Sequence, residues 1–203
     1  MKKHGFCPLQ TRTDYGTENG IIAGMQCYFL SEDNAPFSGE LAHSYGPSTR
    51  NQKIENFWSH FKRSCSEWWI QYFKDLVDSG DVDIDNAIYR ECLWFCYNGI
   101  LQKELDEMRK YWNTHCIRQS RHETVGGVPD ILFHLPEQLG AFDCSVIVPR
   151  AKILEMEEKC FSETDANVFQ EYFHYIVDEE ELHYPTTHTE AKNLFDQLII
   201  FAM

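Results

Sequence analysis

The 203-residue chain is 43% apolar, enough to build a hydrophobic core and too apolar for disorder to be the default, and its length suits one domain or a domain with an appendage. Its 18 Lys and Arg face 32 Asp and Glu, and the imbalance is uneven: residues 1–80 hold eight basic against nine acidic side chains, residues 81–203 ten against twenty-three. Polyanion binding draws on Lys and Arg that displace counterions, so phosphate contacts belong to the first part and the second repels DNA.

Leu9 to Thr13 reads as a short strand between Pro8 and Gly16, which sets Asp14 at the carboxyl end, where open α/β sheets bind ligands. Asn19 to Leu30 is predicted helical, with Ile22, Met25, Gln26 and Phe29 at spacings of three and four, and a polar loop from Ser31 to Gly39 ends it. Leu41 to Tyr45 is a second short strand. Thr49 and Gln52 then make a capping-box pattern at the head of a long helix. Its stripe of Ile54, Phe57, Trp58, Phe61, Cys65, Trp68, Tyr72 and Leu76 carries it to Gly80. Glu55 falls near its second turn, off that stripe, and is expected to face the end of the sheet.

Asp83 or Asp85 is the expected cap of a further helix reaching about Thr114. Gly126-Gly127-Val128-Pro129 marks a turn, behind which Leu132, Phe133 and Leu135 pack the chain onto the body. Ser145 to Pro149 is extended, and Ala151–Cys160, Asp165–Val177 and His188–Phe201 are helical, the last with Thr187 and Glu190 as a capping box. Trp58, Trp68, Trp69, Trp94 and Trp112 all fall in helical segments and are expected to fill gaps between helices.

Eight cysteines show neither a Cys-x-x-Cys pair nor zinc-finger spacing with His, which argues for free thiols, with Cys92 and Cys96 buried on one helix face. His43 and His115 read as packing or surface residues, and Asp178-Glu179-Glu180-Glu181 as a solvated helix end. Met1 to Pro8 leads into no apolar signal segment, and no run approaches the ~20 apolar residues of a membrane span. The expectation is a nuclear or cytoplasmic protein with no membrane partner.

Asp14 at a strand end and Glu55 on a helix form the layout of two carboxylates sharing a divalent cation. The surrounding stretches Thr13-Asp14-Tyr15-Gly16-Thr17-Glu18-Asn19 and Ser48-Thr49-Arg50-Asn51-Gln52-Lys53-Ile54-Glu55 resemble the integrase core domain family, the catalytic domains of retroviral integrases and related transposases with an Asp-Asp-Glu triad. Trp112-Asn113 and Gly127-Val128-Pro129-Asp130 fit the cellular or domesticated animal members. The resemblance covers about residues 5–135.

That resemblance implies a helix-dominated, partial RNase H-like α/β fold with two short strands. Residues 1–140 would form the C-terminal portion of a catalytic core and residues 141–203 an acidic helical extension. It implies Mg²⁺ or Mn²⁺ held by Asp14 and Glu55 as catalytic residues, in-line attack on a phosphodiester, and DNA contacts from Asn51, Lys62, Arg50, Lys53 and Arg63. The family's first aspartate belongs on a strand well upstream of the Asp14 position, and thirteen residues precede Asp14. The expectation is therefore a chain inactive alone, or one whose true product extends upstream. The alternative from another class is a non-catalytic, domesticated module whose aromatic helices bind a protein partner or a second copy. Asp14 as an ordinary turn residue and Glu55 as a solvated helix residue remain open beside these roles.

Overall fold

The computed structural model describes residues 4–17, 19–31, 37–47, 52–119, 125–160 and 167–202, with the side chains of residues 52, 53 and 160 left aside. Its Cα packing divides the chain into two compact units, residues 1–57 with 130–163 and residues 58–129 with 164–203. The division follows packing, whereas the boundary at residue 140 follows family resemblance and charge, a different criterion.

The first unit holds four three-residue strands in two separate pairs. β1 (Phe6–Pro8) runs antiparallel to β4 (Ser145–Ile147), with Cys7 opposite Val146. β2 (Thr11–Thr13) runs parallel to β3 (His43–Tyr45), with Thr13 opposite Tyr45. The single strand expected over Leu9–Thr13 is thus shorter, and a separate strand precedes it. Leu9 spends its N–H on the Cys144 carbonyl at 2.7 Å, outside the β2 ladder. The strand expected over Leu41–Tyr45 loses its first two residues to a 3₁₀ turn, Gly39–Ala42.

Parallel strands need a crossover, and α1 (Asn19–Phe29) supplies it between β2 and β3. It buries Ala23, Gln26 and Phe29, one face at helical spacing. Gln26 is 1% exposed, and its Nε2 donates to the Pro8 carbonyl at 2.6 Å, which ties α1 to the first ribbon. α6 (Arg150–Cys160) lies against α1: the Tyr28 hydroxyl donates to Glu155, and Lys152 Nζ donates to the Tyr28 carbonyl at 3.3 Å. Cys7, Phe29, Leu30, Ala42 and Val148 form the core of this unit, flanked by Ile153 and Met156 of α6.

α2 (Gln52–Phe61) runs into a π-helical turn at Lys62–Ser66 and on into α3 (Glu67–Asp78). One continuous helix was expected from the Thr49 cap to Gly80; the π turn inserts a local change of period. The expected Thr49 cap lies outside the described residues.

In the second unit α4 (Ala87–Thr114) is the central element, packed by α7 (Val168–Glu179) and α8 (His188–Ala202). Its core joins Trp69 and Leu76 of α3, Cys96 and Tyr97 of α4, Phe173 of α7 and Leu198 of α8. One cap and one helix start differ from expectation. α4 is capped by Asn86, whose Oδ1 accepts from the Ile88 N–H at 2.9 Å, while Asp83 serves the preceding turn through the Asp85 N–H. α7 starts after Asn167, which accepts from Phe169 and Gln170. α8 starts as predicted: Thr187 Oγ1 accepts from the Glu190 N–H at 3.2 Å, and the Glu190 carboxylate reaches back one residue further, to Thr186.

The tryptophans fill less space than their placement suggests. Trp69 alone of the five is fully in the core, at 5% exposure, whereas Trp58, Trp68 and Trp94 are each half exposed or more. Cys92 and Cys96 are buried free thiols, as expected, and mutual hydrogen bonding with desolvation pushes the Cys96 thiol far upward. Burial followed by the hydrogen bond to Tyr72 likewise raises the Tyr97 phenol. The short helix α5 (Pro129–His134) belongs to the first unit from Asp130 onward; Phe133 stacks on Phe6 of that unit while staying largely exposed, and Leu135 is exposed. No described helix is long and apolar enough to cross a membrane.

Candidate active site

The site is built from the carboxyl end of the β2–β3 pair. Past Thr13 the chain must leave the sheet and turn into α1, and a short acceptor side chain favours that turn. Asp14 is that residue, half-buried, with Oδ1 accepting from Asn19 Nδ2 at 2.6 Å and from the Gly16 N–H at 3.5 Å. Asn19, the first residue of α1, thereby fixes the carboxylate's orientation. The Asn19 N–H bonds in turn to the Gly16 carbonyl at 3.1 Å.

Beneath Asp14 the strands are locked by an imidazole. His43, 9% exposed, bonds Thr11 Oγ1 through Nδ1 at 2.8 Å and Thr13 Oγ1 through Nε2 at 3.2 Å. The packing role expected for His43 is the one observed, but its two threonine partners follow from the parallel register, which no local pattern announces. At the rim Tyr15 and Tyr45 stack at 5.6 Å, both exposed.

Arg12 adds a cation that sequence inspection left without a role. Its guanidinium lies against Gly46, where a Cβ would overlap Arg12 Nη2, so the glycine leaves room for the side chain. Gly46 N–H also donates to the Thr13 carbonyl at 2.9 Å, holding the end of β3 beside the Asp14 turn. The signal was the Gly-Pro pair after an alternating strand, legible as a turn but silent about which side chain would use the space.

Glu55 stands in the first turn of α2, one turn earlier than expected, and is exposed. A carboxylate there is favoured by the helix dipole. α2 buries none of its described side chains. Arg50 and Asn51 lie outside the described residues, as does the side chain of Lys53. Lys62 and Arg63 are exposed on the π turn, in the other compact unit from Asp14 and Glu55, and Arg63 Nε donates to the Ser59 carbonyl at 3.3 Å.

Taken singly, the Asp14 and Glu55 carboxylates are of the donor type that suits a hard divalent cation. Asp14 offers an oriented carboxylate and Glu55 a second hard oxygen donor, and Mg²⁺ is commonly held by one or two carboxylates completed by water and substrate phosphates. Among the described residues no group of three or more His, Cys, Asp or Glu stands ready to hold a metal.

No curated protein and no solved structure matches the chain. A protein-family model does: the integrase core domain, over residues 1–134. The helix-dominated architecture with two small sheets is compatible with that match, which spans well over half of the sequence and reaches from β1 through α5, so the chain belongs to the integrase core domain family.

Proposed function

We propose that this chain is an integrase- or transposase-like domain of the metal-dependent DNA strand-transfer type, with Asp14 and Glu55 as its two metal-ligand positions. The carrying observation is the Asp14 carboxylate at the carboxyl end of a parallel strand pair, its Oδ1 oriented by Asn19 at 2.6 Å. A ligand fixed by a neighbouring hydrogen bond binds a metal better than a free one. When bound, a divalent cation would supply activation of the attacking oxygen and stabilisation of the leaving one. Asp14 and Glu55 bind it, Asn19 orients Asp14, and the stacked Tyr15 and Tyr45 offer a flat apolar surface beside it. Arg50, Asn51, Lys53, Lys62 and Arg63 are the DNA-contact positions; the basic ones would touch phosphates, which positions the backbone without reading sequence.

The reading extends to topology and domains: an RNase H-like lineage for residues 1–140, and an added acidic helical segment from 141 to 203.

The test is thermal unfolding during Mn²⁺ and Mg²⁺ titration, since a ligand that binds only the native form raises its melting temperature. The wild type should be stabilised in the millimolar range, and the double variant Asp14→Asn, Glu55→Gln should lose the response. An identical response in both would remove the metal site.

A second reading, a non-catalytic interaction module, is favoured by a different observation: α2 buries none of its described side chains and Trp58 stays 56% exposed. Absence of any metal or DNA response, with retained folding, would favour this one.

A further inference from the structure

The β1–β4 ribbon has two faces. Cys7 and Val146 turn to the core of the first unit, so by the two-residue alternation of strands Phe6, Pro8 and Ser145 turn the other way. On that side a cavity of about 540 Å³ opens, walled by Phe6 and Pro8, by Phe133 of α5 and by Phe142. Phe6 and Phe133 stack at 6.1 Å with their planes 30° apart. Phe142 is 87% exposed and Phe133 58%. Large apolar side chains held in the open around a concavity mark a binding surface more often than an idle one.

The charge of the lining selects the occupant. Glu137 and Asp143 line the cavity together with His4 and His134, and among the described residues no Lys or Arg does. Among the described residues neither carboxylate forms an ion pair. The N–H and hydroxyl of Ser145 donate to Asp143 at 2.8 and 3.1 Å, fixing an acidic group beside the rings. Phosphates are repelled by this pair. A second copy of a chain carrying a net charge of −14 is disfavoured on the same ground. An ammonium or guanidinium group satisfies both features, because ring faces and carboxylates attract the same cation. The aliphatic stem of Lys or Arg, or a neighbouring leucine, suits the apolar walls.

We propose that this cavity is a docking site for a basic peptide segment of a partner protein, with a Lys or Arg head group held between Glu137, Asp143 and the phenylalanine rings. The site is independent of the metal and DNA reading, and its test involves neither. The probe is a fluorescein-labelled hexapeptide alternating Leu with Arg or Lys, followed by fluorescence anisotropy on the full chain. Parallel peptides carry Glu for the basic residues or Ser for the leucines.

Binding in the range of ~10–100 μM is expected for the basic apolar peptide. At least tenfold weakening is expected in Phe142→Ala and in the double variant Glu137→Gln, Asp143→Asn, with the Glu and Ser peptides failing to bind. All three substituted side chains are exposed, and circular dichroism checks that the variants stay folded. The proposal is overturned if the basic peptide does not bind, or if the variants bind it as the wild type does, which would place the contact on the acidic surface of residues 81–203.

Discussion

Trp69 donates its indole N–H to the Glu104 carboxylate at 2.6 Å, across 35 residues of sequence. Glu104 also accepts from the Cys65 thiol at 3.8 Å, so one carboxylate of α4 holds the π turn and the first turn of α3 together. Extra residues in a helix persist where outside contacts hold them, and π turns concentrate at functional segments. This one carries Lys62 and Arg63.

Glu104→Ala should therefore cost about 1.5–3 kcal/mol, the worth of a charge-assisted hydrogen bond with a buried donor left behind, read by urea denaturation. A second readout follows from the thiol. Burial chiefly raises Cys65, and the charge and hydrogen bond of Glu104 raise it further. Glu104→Gln removes the charge, so the thiolate fraction at mildly alkaline pH must rise. Alkylation of Cys65, mapped by mass spectrometry, should be faster in this variant; an unchanged rate would mean that the two groups do not interact in solution.

His43 offers a stability test in the first unit. It bridges Thr11 and Thr13 from a position that is 9% exposed, and removing it leaves two threonine hydroxyls facing a void. His43→Ala should destabilise by about 2–4 kcal/mol, combining lost hydrogen bonds with a cavity. Thr11→Val alone should cost about 1 kcal/mol. A His43→Ala loss below the Thr11→Val loss would show the imidazole to be a bystander.

Local signals carried much of the fold. The Thr187 cap, the apolar stripes of α1, α4 and α8 and the turn after Thr13 all follow from neighbours within four residues, and each element is present. Pairing was not legible. β1 finds its partner at residues 145–147, and Phe6, Cys7 and Pro8 contain nothing that points across so long a stretch. The π turn was hidden for a related reason: Phe61, Cys65, Trp68 and Tyr72 satisfy a 3.6-residue period closely enough that only the pull of Glu104 distinguishes the real path. At the candidate site, Asp14 was legible from Gly16 and the preceding strand. Asn19, His43 and Arg12 were not, because their roles depend on which strand lies beside β2.

The end of α7 predicts a stabilising substitution. Glu181 takes a left-handed conformation, φ 52°, while Leu182 N–H closes the helix onto the Val177 carbonyl at 2.9 Å. That geometry favours glycine, and an L side chain there costs about 1 kcal/mol. Glu181 also adds a negative charge at the negative end of the helix dipole. Glu181→Gly should raise stability by about 0.5–1 kcal/mol, measurable as a higher urea midpoint; a lower midpoint would contradict the capping argument.

The start of α8 predicts a pH dependence. The N–H and hydroxyl of Thr186 donate to Glu190 and hold its carboxyl below the usual glutamate value of 4.5. A folded-state value below the unfolded one means stability that is full above pH 4.5 and fades as pH falls through the lowered folded value. Between about pH 5 and 3 the wild type should lose melting temperature more steeply than Glu190→Gln, which carries no such proton. Parallel slopes would remove the linkage.

The last prediction separates two roles for Asp14 that one residue can hold at once. As a turn anchor it needs only an acceptor for the Gly16 N–H, and asparagine supplies one. As a cation ligand it needs the negative charge, and asparagine lacks it. Asp14→Asn should thus keep stability to within about 0.5 kcal/mol, whereas Asp14→Ala should lose about 1 kcal/mol with the turn hydrogen bonds. Mn²⁺ stabilisation, in contrast, should vanish in both. If Asp14→Asn retains the full Mn²⁺ response, the carboxylate serves the turn alone and the cation binds elsewhere; if both variants are equally unstable, the charge itself matters to the fold, and the Asn19 contact at 2.6 Å is where that dependence would arise.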